Sequence, residues 1–364
     1  MEQPVGRTRG CDHSCLRFSQ GAYAPGWRHP ARTLTVQYNL AMKIGSNCGM
    51  ACLLALLCCL GCHTSASHST IAVIPRDSAE EIWVSEHGGA VDAAFRHRLH
   101  IYWNGPTRND EVEQQIALCE KAIAGHYYGL ILSPNNSFAL DTTIHRAVAH
   151  GIPVVIVGAQ IPIAPQRGLT FVLNDAGKTG ALAAERAHEI LGEKGQVILL
   201  GVDALSPGSV ERSSAFEQAL QREAPRITVQ EKVAETLSFG QAEQASEQAI
   251  HSFPGRIVIF ALGPNATEGA AAAVRNTGTS NRIRIIGCDQ TLDLLFLLRH
   301  GQIDSLIVEN TRAMGNLAVK EIIAEKHGQR VPLKTLVEPV LVTRENVDQD
   351  TVQQILSLRW RPRQ

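Results

Sequence analysis

Past residue 62 this 364-residue chain is nearly without cysteine: seven of its nine lie at or before Cys62, and only Cys119 and Cys288 follow. That scarcity excludes a disulfide framework for the body of the chain. The two late thiols are expected to be small buried apolar groups. An excess of positive charge is missing too. Six of the 34 Lys and Arg and two of the 35 Asp and Glu fall within residues 1–61, so the remainder carries 28 basic against 33 acidic groups. Such a mildly acidic chain lacks the electrostatic footprint of a nucleic-acid binder, and no nucleic-acid partner is expected. No apolar run reaches the roughly 20 residues that a membrane helix needs. Catalytic signatures are absent as well: there is no G-x-G-x-x-G, Walker loop, G-x-S-x-G elbow or H-E-x-x-H. The fourteen histidines are scattered without ligand spacing, His145 and His150 reading as solvated helix positions. Cys11, His13 and Cys15 stand too close together for a zinc site. No catalytic residue, metal or cofactor is expected.

The chain does have a short apolar stretch, residues 49–60, behind Met42-Lys43. It fits the core of a secretory signal. The stretch ends in Gly61-Cys62 and turns polar at His63-Thr64-Ser65. That ending resembles a bacterial lipoprotein cleavage site, with Cys62 receiving the lipid, although Cys59 stands where such sites usually carry Leu. Ordinary cleavage nearby and an uncleaved anchor are the alternatives. Residues 1–41 are rich in Arg, Gly and Pro, show no apolar period and read as a non-native extension upstream of a start at Met42. Residues 42–61 then form the signal peptide and residues 62–69 a tether. The protein would work in the periplasm or on the outer envelope face, lipid-anchored.

Beyond the tether, short Val, Ile and Leu runs alternate with longer helical stretches, the pattern of parallel strands joined by crossover helices. Strands are expected at 71–75, 99–103, 129–133 and 153–157, with helices at 80–96, 110–124 and 142–150. After Phe171-Val172-Leu173 the pattern restarts. Strands follow at 196–201, 227–232, 257–261, 283–287 and 305–308, and helices at 178–191, 209–222, 241–251, 266–275 and 292–299. Strands apolar on both faces belong in sheets covered by helices on both sides. The economical fold class is α/β, with two doubly wound, Rossmann-like lobes and a ligand crevice at the carboxyl ends of their strands.

Several segments carry a resemblance. Ile71-Ala72-Val73-Ile74-Pro75 with Ile82-Trp83 and Gly89-Ala90, Leu130-Ile131-Leu132-Ser133-Pro134, and Gly151-Ile152-Pro153-Val154-Val155 come first. Then come Asn174-Asp175-Ala176-Gly177-Lys178-Thr179-Gly180, Glu211-Arg212 with Phe216, Gly287-Cys288-Asp289, and Met314-Gly315 after Glu309. In order and spacing, from Ile71 to about Thr343, they resemble the type 1 periplasmic substrate-binding proteins of the ribose-binding family. The resemblance implies two lobes joined by three hinge crossovers, near Leu173, Glu309 and Leu336. Lobe 1 would be residues 70–173 plus 310–337, and lobe 2 residues 174–309 plus 338–364.

Carried over position by position, the resemblance implies a ligand site. Trp83 falls where the family stacks a ring on the sugar's apolar face. Arg212 falls where it places a multiply donating hinge arginine, Asp289 where it places a hydroxyl-accepting carboxylate, and Glu309 where it commonly has Gln. Departures point away from ribose itself: Gly158-Ala159 replaces an Asp-Arg pair, Gly263 an Asn, Glu80 an Asn and Ile82 a second aromatic. Gln160 and Asn265 lie one or two positions away and would compensate. The function implied is binding a sugar, polyol or similar small polar ligand for an ATP-driven importer, with the ABC permease subunits and the membrane as partners and the protein a monomer. A sensor presenting ligand to a chemoreceptor or histidine kinase is the alternative. A transcriptional regulator of the same fold would need an N-terminal helix-turn-helix, which residues 1–60 do not offer.

Overall fold

Ile71 and Val73 face one side of the first strand, Ala72 and Ile74 the other, and each pair joins a different apolar core. That alternation with a period of two is what a strand buried on both faces requires. A computed structural model of the chain describes residues 67–204, 207–233 and 238–359, all within one compact unit, Leu60–Gln364. The extension, the signal, Cys62 and the Cys11–His13–Cys15 group lie outside the described residues.

The first lobe runs β1 (Thr70–Ile74), α1 (Glu81–Arg96), β2 (His100–Trp103), α2 (Val112–Ala124), β3 (Gly129–Leu132), α3 (Asp141–Ala149), β4 (Val154–Val157) and β5 (Leu169–Asn174). The second runs α4 (Ala176–Leu191), β6 (Gly195–Val202), α5 (Pro207–Glu223), β7 (Ile227–Val233), α6 (Phe239–Ser252), β8 (Ile257–Ala261), α7 (Pro264–Asn276), β9 (Ile283–Cys288), α8 (Leu292–Arg299) and β10 (Ser305–Val308). The chain then returns for α9 (Thr311–Lys326) and β11 (Lys334–Val337), and crosses again for β12 (Val340–Thr343) and α10 (Asp350–Ile355). Nine strands and eight helices match the sequence expectation within a few residues, and β5 falls where the pattern was expected to restart. α9, β11, β12 and α10 were not assigned from the sequence.

Each lobe carries a six-stranded sheet, ordered β11-β5-β4-β3-β1-β2 in one and β12-β10-β9-β8-β6-β7 in the other. All neighbours are parallel except β10 and β12. The strand order reverses between β1 and β3 in one sheet and between β6 and β8 in the other, and ligand crevices open at such switch points. Three crossings link the lobes: Asp175 alone, then Glu309 and Asn310, then Glu338 and Pro339. Two of them are fixed by helix capping. Asp175 accepts from the Lys178 N–H at 2.8 Å and Asn310 from the Ala313 N–H at 3.0 Å, so α4 and α9 start immediately after each crossing. The tail touches both lobes. Val352 and Leu356 pack into the second lobe's core. Ile355 O accepts from Ser85 of α1 at 3.3 Å, and Arg359 O from Arg312 of α9 at 2.9 Å.

Candidate functional site

Asp289 is the first residue past β9, at the carboxyl edge of the second sheet, and its backbone is left-handed, at φ 66°. Asp is among the few non-glycine residues that enter that region at modest cost. Asp289 does not cap the following helix: Thr291 does, accepting from the Leu294 N–H at 3.1 Å.

Arg212 reaches the same place from α5. Gly180 of α4 lets α5 pack against it, because a Cβ there would collide with the Arg212 carbonyl oxygen and stand 2.6 Å from the Phe216 nitrogen. Phe216 is fully buried with its ring 4.9 Å from that of Phe260, which fixes the rotation of α5. The guanidinium turns inward and pairs with Glu309 at 3.1 Å, while the adjacent Glu211 stays exposed. The three groups form one electrostatic unit. Burial disfavours the Arg212 charge, but Cys288, Asp289 and Glu309 outweigh it and hold its pKa high. Burial raises Asp289 against the pull of Arg212. Burial first and Asp289 second push Glu309 up to about 7, with Arg212 and Arg76 opposing.

The first lobe contributes the opposite wall. Trp83, in the first turn and a half of α1, is 6% exposed and belongs to none of the four apolar cores. Its ring lies against Gly158, where an added Cβ would stand 3.7 Å away, and beneath the Arg76 guanidinium, 5.9 Å from the ring centroid. Gly158 is left-handed at φ 72°, so the turn after β4 bends clear of the ring. Burial and the charge of Asp77 raise the Glu80 pKa, Asp289 adding to them across the cleft and Arg76 opposing. Asp77 accepts from the N–H groups of Ala79 and Glu80 at 3.0 Å each, which shapes the loop that presents Glu80 and Trp83. Buried Gln115 of α2 ties the loops of the first switch point together. Its Nε2 donates to Pro75 O at 2.7 Å and Ser133 O at 2.9 Å, and its Oε1 accepts from the Asn135 N–H at 3.0 Å.

The structure thus brings Trp83, Arg212, Asp289, Glu309 and Glu80 to one cleft. Gln160 and Asn265 are exposed, in the loop after β4 and the first turn of α7, and no hydrogen bond joins either to the others. Sequence reading missed Arg76, whose signal was its place two residues past β1, and Gln290, which is 5% exposed beside Asp289. Five of the thirteen buried side-chain atoms without a hydrogen-bond partner among the described residues belong to these residues and to Gln290: Arg76 Nε, Trp83 Nε1, Arg212 Nε, Asp289 Oδ1 and Gln290 Oε1. A buried polar group normally has a partner. These donors and acceptors suit the edge of a polyhydroxylated molecule, and the indole suits its C–H face. The lobes also meet directly, the Leu292 N–H at the start of α8 donating to Glu81 Oε2 at 3.0 Å. Cys119 and Cys288 are free and buried, each thiol pushed up to about 12 by burial. Among the described residues no cluster of His, Cys, Asp and Glu could hold a metal ion, and no helix is long and apolar enough to cross a membrane.

A family model described as "Periplasmic binding protein domain" matches residues 71–329. The chain is 24% identical over 285 residues to the D-allose-binding periplasmic protein of Escherichia coli (strain K12), covering 75% of this chain and 91% of that protein. It is 26% identical over 214 residues to the ribose import binding protein of Bacillus subtilis (strain 168), covering 58% and 67% respectively. Among solved structures, the sugar-binding protein of a sugar ABC transporter from Bacillus halodurans superposes with a TM-score of 0.72 at 26% identity, covering 77% of this chain and 99% of that one.

Proposed function

The chain belongs to the periplasmic binding protein family, a family of substrate-binding proteins and not of enzymes, and from that premise we propose that it binds a sugar or sugar-like polyol between its two lobes. The observation that carries the reading is the pair of buried, unpartnered polar atoms on Arg212 and Asp289 of the second lobe, with Trp83 of the first lobe buried outside all four apolar cores. Trp83 takes the apolar face of the ring. Arg212 donates and Asp289 accepts along its hydroxyl edge, and Glu309 and Glu80 complete the polar lining, with Gln160 and Asn265 at the rim. In a cleft shut off from water such bonds discriminate strongly between epimers. The lobes, residues 70–173 plus 310–337 and 174–309 plus 338–364, close as bodies about the three crossings.

The closed form is what a membrane permease of an ATP-driven importer would recognise, and relatives named as import binding proteins support that role. Lipid at Cys62 would keep the protein beside its permease in the periplasm. A Cys62→Ser variant should then leave the membrane fraction, and its retention there would contradict the anchor. The binding reading is tested by a thermal-shift screen of neutral and amino sugars and polyols, followed by calorimetry of each hit. A stoichiometric complex that Asp289→Ala abolishes without unfolding supports it. Unchanged affinity in that variant would remove Asp289 from the site.

A further inference from the structure

Two guanidiniums and three carboxylates meet in the cleft, and the balance can be followed residue by residue. Arg212 donates to Glu309 at 3.1 Å and offsets Asp289 as well. Arg76 offsets Glu80 and Glu309. Asp77 adds a further carboxylate, already engaged by two backbone N–H groups. Cys288 stays a neutral thiol. When all are ionised, Glu80, Asp289 and Glu309 outnumber the two guanidiniums even before Asp77 is counted.

Closing the lobes over an uncharged guest would bury that surplus or force a proton onto one of the carboxylates. Buried charge is costly unless a countercharge meets it. The surplus also sits where a guest would be held rather than on a solvated face. Trp83 and Gln290 are 6% and 5% exposed, and Trp83 Nε1, Gln290 Oε1 and Asp289 Oδ1 have no hydrogen-bond partner.

We propose that the guest carries one positive charge, as a polyhydroxylated amine of the amino-sugar class, with its ammonium group received by Glu309 and Asp289 and its ring by Trp83. The proposal rests on the sugar-binding reading above and adds the charge of the ligand. The raised pKa of Glu309 agrees with it, because burial first and the Asp289 charge second favour the protonated acid, and an ammonium group would favour the carboxylate.

Calorimetry with the full chain tests this using glucosamine, galactosamine and mannosamine, each beside its neutral parent and its N-acetyl derivative. D-Allose, D-ribose and arabinose serve as further neutral probes. An amino sugar should bind at least about tenfold tighter than both its parent and its N-acetyl form. Glu309→Gln should erase that preference. A neutral sugar binding as tightly as any amine would overturn the charge inference and leave sugar binding standing. A preference that survives Glu309→Gln would remove Glu309 from ammonium recognition and overturn the proposal as stated. No binding to any probe would overturn this proposal and the sugar-binding reading together.

Discussion

At the scale of single residues, the cleft is built from side chains whose charge is not fully answered by the protein. Arg212 is shared between Glu309, at 3.1 Å, and Asp289. A lysine cannot serve two acceptors with one planar fork. Arg212→Lys should therefore lower ligand affinity by about tenfold or more while the melting temperature stays within a few degrees, as calorimetry and thermal unfolding would read. Glu86 of α1 makes a different prediction. It is buried, its Oε2 accepts from Ser133 at 3.3 Å, and burial raises its pKa from 4.5 to about 8. Folding thus favours the protonated acid. That stabilisation is full below about 4.5 and is lost as pH rises through about 8. Glu86→Gln should flatten the fall in unfolding free energy between pH 5 and 8, measured by urea titration; a curve parallel to the wild type would show that Glu86 ionises freely. Trp83, Arg212 and Asp289 were legible in the sequence because each stands in a segment whose order and spacing resemble a known family. Arg76 was not, because a lone arginine after Pro75 reads as loop until the neighbouring strands are in place. Asp289's competing role as a helix cap was open until Thr291 proved to hold that position.

At the scale of elements, close helix approaches place the site residues. Gly89 and Gly315 let α1 and α9 touch, since a Cβ on either would strike the other helix's backbone. Gly180 does the same for α4 and α5 and so sets the reach of Arg212. Gly180→Val should cost about 1–3 kcal/mol of stability in denaturant unfolding and weaken ligand binding in the same variant. Equal affinity in the two proteins would separate that packing from the site. Short continuous runs of Val, Ile and Leu made nine of the ten central strands legible, since both faces of each sheet are covered. The return segment was harder. Leu336 of β11 is 48% exposed on an edge strand of four residues, too short to show a period. α9 does carry Met314, Ala318 and Ile322 on one face, buried in one core with β3, β4 and β5. α10 has six residues and owes its place to Val352 and Leu356 in the second core.

At the scale of the whole molecule, one strand order occurs twice, and each sheet has its own switch point. Among the described residues the covalent links between the lobes are three crossings of one or two residues, which permits rotation of one body against the other. Within the described residues the bond from the Leu292 N–H to Glu81 spans the lobes away from those crossings. Glu81→Ala should raise the ligand's dissociation rate severalfold and leave thermal stability without ligand nearly unchanged, as stopped-flow and thermal unfolding would read. The tail, bonded to Ser85 and Arg312 of the first lobe, must slide or release in any such rotation. A crystal structure with the tightest ligand from the sugar screen tests the account most directly. It should place one molecule in the cleft, its ring on Trp83 and its polar edge within about 3 Å of Arg212 and Asp289. Ligand density elsewhere, or a cleft filled by the protein's own side chains, would contradict it.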